Sequence, residues 1–342
     1  MSAIALLVCD DSGMARKQLI RSLPADWPVN ISQATNGREG LEAIRQGLGQ
    51  VVLLDLTMPE MDGYQVLQSL QDEGLAAKVI VVSGDVQDAA IQRVMELGAL
   101  DFIKKPANPE ELLAKLKAHD LLSLGGARQD DAALQAQTQQ AALAEMKVGF
   151  RDAFREITNV AMGRAAALLA EELGVFVQLP IPAVNLFEAS ELHMALTDAN
   201  RGEQLSAVCQ GFVGEAIAGE ALLLFHDSQT ADIAHLLGLR PGGDVATSEM
   251  LLDLASVLIG ACLSGIAEQL DIRFSQGHPQ LLGQHARSID ELIQFNGARW
   301  RKTLAVEISY GLEDHAVNFD LLLLFTENSI PRLTAKIQYL ME

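Results

Sequence analysis

Five short apolar runs, each followed by a segment of helical periodicity, constrain this chain more than any other feature. The runs are AIALLVCD (3 to 10), NISQA (30 to 34, the weakest), VVLLDL (51 to 56), KVIVVSG (78 to 84) and LDFIKK (100 to 105). All but NISQA lack the polar alternation of a half-exposed strand, so they read as strands buried on both faces. Helical patterns lie near 13 to 24, 36 to 47, 63 to 73, 86 to 98 and 108 to 120. This βα alternation predicts a doubly wound α/β domain around a five-stranded parallel sheet over 1 to 122.

The C-terminal edge of such a sheet is where a ligand site forms. The predicted strands end there on Asp10 and Asp11, Asp55, Ser83 and Lys105. Three crowded carboxylates repel one another and call for a cation, and hard oxygen donors suit Mg²⁺. Lys105 adds a point charge and Ser83 a hydroxyl, which together suit a phosphoryl group on a carboxylate. Each feature has a plainer explanation alone: Asp-Asp as a turn or helix cap, Lys-Pro as a surface turn. Their placement on successive strand ends favours one site.

The segments CDD (9 to 11), LLDLTMPEMDG (53 to 63), VVSG (81 to 84) and DFIKKP (101 to 106) resemble the receiver domains of response regulators, of the CheY type. The resemblance implies that a sensor histidine kinase phosphorylates Asp55. It implies that Asp10, Asp11, Asp55 and the Thr57 carbonyl hold Mg²⁺, that Lys105 contacts the phosphoryl group, and that Ser83 and Phe102 form a switch. For Phe102 the alternative is an ordinary edge-strand aromatic packed on the sheet.

Residues 123 to 145, opening on a Gly-Gly break and continuing in Ala and Gln, read as a partly helical linker. The remainder, 146 to 342, contains a repeat. A shift of 97 residues takes Asp152 to Glu249, Glu156 to Asp253, Asn159 to Ser256, Gly163 to Gly260 and Pro182 to Pro279. Hairpin-like pairs follow at 207 to 225 and 304 to 325, then helical segments near 228 to 238 and 328 to 341. The expectation is an α+β domain of two pseudo-symmetric helix-hairpin-helix halves.

In the helix expected over 150 to 164, Phe150, Phe154, Ile157 and Ala161 share one face, and Asp152, Glu156, Asn159 and Gly163 line the opposite one. A solvated helix face is the plain explanation. Asn and Gly are poor helix formers, however, and the spacing returns in the repeat. The array Asp152-x3-Glu156-x2-Asn159, with Pro182 following after 22 residues, resembles the signature of the CheC/CheX/FliY phosphatases, which act on the aspartyl phosphate of receiver domains. The resemblance implies that Asn159 orients the attacking water and that Glu156 pairs with the receiver's lysine. The phosphorylated receiver is then the chain's own or another regulator's. In the second copy Asp253 is one methylene shorter and Ser256 lacks an amide's reach, so that copy is expected to be inactive. The competing reading is a docking module for a signalling partner such as a CheD-like protein.

The formal charge of −20 over 342 residues disfavours DNA, whose phosphates attract basic surfaces. Cys9, Cys209 and Cys262 show neither a metal-binding nor a disulfide pattern and read as buried hydrophobes. The seven histidines are scattered. No signal-peptide pattern and no uninterrupted membrane-length apolar run is present, so the expectation is a cytoplasmic protein without a membrane partner.

Overall fold

A computed structural model of the protein describes residues 3–124, 148–188, 191–192, 194, 204–239, 244–286 and 302–341. The expected linker over 123 to 145 lies almost wholly outside the described residues. The chain divides into two compact units, Met1–Glu156 and Ile157–Glu342.

In the first unit the strands are β1 (Ile4–Cys9), β2 (Val29–Ala34), β3 (Val51–Leu54), β4 (Lys78–Ser83) and β5 (Asp101–Lys104). They pair in parallel in the order β2-β1-β3-β4-β5. Successive side chains alternate between two apolar layers. Leu7, Cys9, Val52, Leu54, Val79 and Val81 meet α2 (Gly37–Arg45), α3 (Gly63–Glu73) and α4 (Asp88–Glu96). Leu6, Val8, Val51, Leu53, Ile80 and Val82 meet α1 (Gly13–Ser22) and α5 (Pro109–Ala118). The doubly wound expectation holds.

Local chemistry sets the helix starts. The Ser12 hydroxyl accepts from the Ala15 N–H at the head of α1, Asn36 caps α2, and Asp62 with Gln65 forms a reciprocal capping box on α3. Asn108 followed by Pro109 opens α5.

Helix α6 (Phe150–Leu173) begins in the first unit and continues into the second. The second unit has, among the described residues, one antiparallel sheet with helices, an α+β arrangement. Its strands are β6 (Val177–Gln178), β7 (Ala183–Glu188), β8 (Leu205–Gly214), β9 (Ile217–His226), β10 (Ser275–Gln276), β11 (Gln280–Ala286), β12 (Lys302–Leu312) and β13 (Asn318–Phe325). The path runs β10-β8-β9-β13-β12-β6, with β11 on β8 and β7 on β12. The sequence periodicity anticipated β8, β9, β12 and β13 but not the other four. Helices α7 (Thr230–Leu236), α8 (Asp244–Gln269) and α9 (Ile330–Met341) complete the unit.

Residues Val245–Gln269 of α8 are long and apolar enough, by length and composition, to cross a membrane, and 61% of that apolar window is buried inside the protein. Leu251, Ala255, Leu258, Ile259, Cys262 and Ile266 are buried, and the helix packs on β8, β9 and β11. Cys9 and Cys262 are buried free thiols as expected, whereas Cys209 on β8 is only half-buried.

Tyr310 on β12 is fully buried, and its hydroxyl has no hydrogen-bond partner among the described residues. Burial also pushes its pKa well above the usual phenol value. A buried hydroxyl without a partner forfeits its hydration, so Tyr310→Phe is expected to stabilise the chain by about 1 kcal/mol. Urea unfolding checks this; a less stable variant would refute it.

Candidate functional site

The acidic edge of the first sheet follows from where its strands stop. Beyond β1, Asp10 and Asp11 leave the sheet, and Asp10 Oδ1 accepts from the Ser12 N–H at 2.8 Å, which ties the acidic pair to the head of α1. Beyond β3, Asp55 uses Oδ1 to accept the Leu56 N–H at 2.8 Å. Gly63 passes so close behind that an added Cβ would lie 2.3 Å from the Asp55 carbonyl oxygen, so only glycine fits this approach. Beyond β5, Lys105 extends across the edge.

Lys105 Nζ lies 2.8 Å from Asp10 Oδ2, 3.1 Å from Asp55 Oδ2 and 3.0 Å from Glu156 Oε1. All four side chains are buried. Burial works against the Lys105 charge, yet the carboxylates of Asp10, Asp55 and Glu156 outweigh it and hold its pKa well above the usual lysine value. Burial raises Asp55 well above the ordinary carboxylate range; Lys105 opposes that shift and Asp10 reinforces it. Burial, then the Asp10 charge, raise Asp11 to about 6, with Arg155 and Lys105 opposing. Glu156 is pushed up to about 7, again chiefly by burial. One ammonium does not balance four carboxylates.

Asp10, Asp11 and Asp55 each place a carboxylate oxygen within 4.8 Å of the others, the donor set of a hard divalent cation. Asp10 Oδ2 and Asp55 Oδ2 are buried, and among the described residues their partner is the Lys105 ammonium. Converging anionic oxygens at this spacing fit Mg²⁺, the ion that receiver domains typically hold at such a cluster.

The other expected residues are placed as follows. Thr57 is half-buried in the loop after β3. Ser83 ends β4 fully buried, and its Oγ accepts from the Asp85 N–H at 3.1 Å. Phe102 packs into the apolar layer with Val81 and Val94. The acidic stripe of α6 requires a correction: Glu156 is 4% exposed and Asn159 6%, so neither faces solvent. Asn159 follows Glu156 by one turn and belongs to the second unit. The corresponding residues of α8, Glu249, Asp253 and Ser256, are exposed.

Two contacts in the first unit carry no signal in the sequence pattern. Asp152 accepts from the Gly13 and Met14 N–H groups at 3.2 and 3.1 Å, satisfying two donors that a helix leaves open at its start. Arg155 Nη2 lies 3.3 Å from Asp11 Oδ2. No signal marked Arg155, because it falls between the two stripes into which helical periodicity sorts α6.

Elsewhere, Asp227 accepts from Ser206 Oγ at 2.6 Å and contacts His285 Nδ1 at 2.7 Å. With the carboxylate between hydroxyl and ring, this is the order of a structural tether, not of a nucleophile beside its base.

The family model for the response regulator receiver domain matches residues 6–117. Among curated relatives, protein-glutamate methylesterase/protein-glutamine glutaminase 3 of Geobacter sulfurreducens is 38% identical over 116 residues, 33% of this chain and 31% of that protein. The transcriptional regulatory protein DltR of Streptococcus agalactiae is 35% identical over 112 residues, 33% of this chain and 49% of that one. The chain thus spans less than half the length of these relatives. Among solved structures, Thermotoga maritima FliY matches with a TM-score of 0.45 and 18% identity, over 56% of this chain and 96% of that one. The parallel sheet, the acidic edge with its lysine and the matching relatives agree on one conclusion: residues 6–117 form a CheY-like receiver domain of the two-component response regulators.

Proposed function

We propose that this chain is a cytoplasmic response regulator phosphorylated on Asp55 by a sensor histidine kinase. Its C-terminal region, 146 to 342, acts as a CheC/CheX-type phosphatase of two pseudo-symmetric helix-hairpin-helix halves. It hydrolyses the aspartyl phosphate of a receiver domain, its own or another regulator's. The observation that carries this reading is the 3.0 Å contact between Glu156 Oε1 and Lys105 Nζ. A carboxylate of the α6 signature lies on the very lysine that the receiver resemblance assigns to the phosphoryl group.

Asp10, Asp11, Asp55 and the Thr57 carbonyl would hold Mg²⁺, which when bound neutralises charge on phosphoryl oxygens. Lys105 adds a second positive charge, and the Ser83 hydroxyl donates a hydrogen bond. Glu156 seats α6 on the lysine. On whichever receiver it acts, Asn159, three residues on and on the same helical side, would accept a hydrogen bond from the attacking water through its amide oxygen and aim it in line with the scissile P–O bond. Phosphoryl transfer is dominated by positioning and charge, so no further base is needed. In the second copy, the shorter Asp253 and the short hydroxyl of Ser256 cannot repeat this, which leaves one centre per chain.

The burial of both Glu156 and Asn159 favours a second reading, in which α6 is a docking element controlled by receiver phosphorylation and the partner is another signalling protein, of the CheD kind. One experiment separates the two. Phosphate release is followed from the chain's own receiver and from a panel of phosphorylated receivers, with wild type and Asn159→Ala. Loss of one hydrogen bond to the water is expected to lengthen the lifetime of the affected acyl phosphate about tenfold. Unchanged lifetimes across the panel would establish the docking reading instead.

A further inference from the structure

The first two turns of α6 meet the acidic edge through three side chains, and only two of them belong to the signature spacing. Asp152 accepts the Gly13 and Met14 N–H groups, and a Cβ at Gly13 would lie 3.1 Å from Asp152 Oδ2, so the missing side chain leaves the carboxylate its place. Glu156 reaches Lys105 at 3.0 Å. Between them Arg155 extends its guanidinium to Asp11 Oδ2 at 3.3 Å, with Asp152 Oδ1 at 3.4 Å on its other side.

Asp11 is the least buried of the three carboxylates that converge within 4.8 Å. It is therefore the carboxylate through which an arriving ion first gains contact. We propose that Arg155 is a tethered cation that competes with Mg²⁺ for Asp11, so that metal binding and the seating of the first turns of α6 oppose each other. The inference rests on the reading that Asp10, Asp11 and Asp55 hold the metal.

The physical argument does not depend on which Asp11 oxygen the ion takes. On Oδ2 the ion displaces the guanidinium directly. On Oδ1 it comes within a few ångströms of a fixed positive charge in a partly desolvated site, where the repulsion is poorly screened. The Arg155 side chain is 34% exposed and that of Asp11 9%, so the guanidinium can swing into water while Asp11 stays. Asp152, once its arginine leaves, still holds α1 through two hydrogen bonds, so the latch loosens in steps.

The test is a calorimetric Mg²⁺ titration of the full chain as wild type, Arg155→Gln, Arg155→Lys and Asp11→Asn. The magnitude expected from removing one partly exposed charge is about fivefold tighter binding in Arg155→Gln. Arg155→Lys keeps the charge and is expected to bind as wild type does. In the wild type, Mg²⁺ is expected to speed amide hydrogen exchange over 150 to 156, and in Arg155→Gln to leave it unchanged. Equal or weaker affinity in Arg155→Gln, with Asp11→Asn abolishing binding, overturns the competition and leaves the metal reading intact. Binding that survives in Asp11→Asn at wild-type strength overturns both.

Discussion

Asp55→Asn is expected to take up no phosphate when the full chain is incubated with a small-molecule phosphodonor and Mg²⁺ and weighed intact by mass spectrometry, whereas the wild type gains one phosphoryl group. The amide offers no nucleophilic carboxylate oxygen, yet its Oδ1 can still accept the Leu56 N–H that Asp55 accepts at 2.8 Å. The substitution therefore removes the chemistry while keeping the fold. It also has a signed effect on stability. Burial raises the folded pKa of Asp55 well above the ordinary value. A carboxyl with a raised folded pKa contributes stability that is full below its unfolded value and is lost as pH rises through the folded one. The asparagine does not titrate. Asp55→Asn is accordingly expected to melt above the wild type at pH 8, with the difference shrinking toward pH 4. Phosphate uptake by the variant would move the acceptor role to another residue.

Lys105→Ala has the larger cost to the fold. Lys105 is the buried counter-charge to Asp10, Asp55 and Glu156, and its removal leaves three carboxylates facing one another. Stranding a buried charge costs about 3 to 5 kcal/mol. The carboxylates can escape by taking up protons, which fixes the pH dependence. Glu156 already has its pKa raised to about 7, so its contribution to stability is complete below its unfolded value near 4.5 and is gone above neutrality. Without the ammonium the window extends further upward. The deficit of Lys105→Ala against the wild type is therefore expected to be greatest at pH 8 and to narrow on acidification to pH 5, as read by denaturant unfolding at both values. A deficit independent of pH would show that lost packing of the lysine stem, not stranded charge, sets the cost.

Much of the first unit was legible because its strands, β2 apart, are apolar on both faces and its helices start on explicit chemical signals such as Asn108-Pro109. The acidic edge was legible for the same reason: a strand end fixes where the next side chain points. The second unit yielded only its long hairpins. Strands β6 and β10 have two residues each, too few for any period, and β11 carries register shifts and His285 at φ 57°, which break alternation. The α6 stripe misled in a different way. Periodicity separates a helix into faces but does not say what covers the polar one, so Glu156 and Asn159 read as exposed although both are buried. Arg155 was invisible because its significance lies in Asp11, far away in sequence.

The middle of the second sheet has one last consequence. Strands β9 and β13, with ALLLF at 221 to 225 and LLLLF at 321 to 325, lie antiparallel side by side, Leu323 opposite Ala221 and Leu321 opposite Leu223. Two nearly interchangeable, uncharged, β-compatible segments a hundred residues apart offer each nascent chain a competing mate on its neighbour. Recovery from denaturant should then fall with protein concentration, and the by-product should be strand-exchanged multimers that retain native-like sheet. A lysine at the solvent edge would not cure this, because the hazard lies in the two innermost strands.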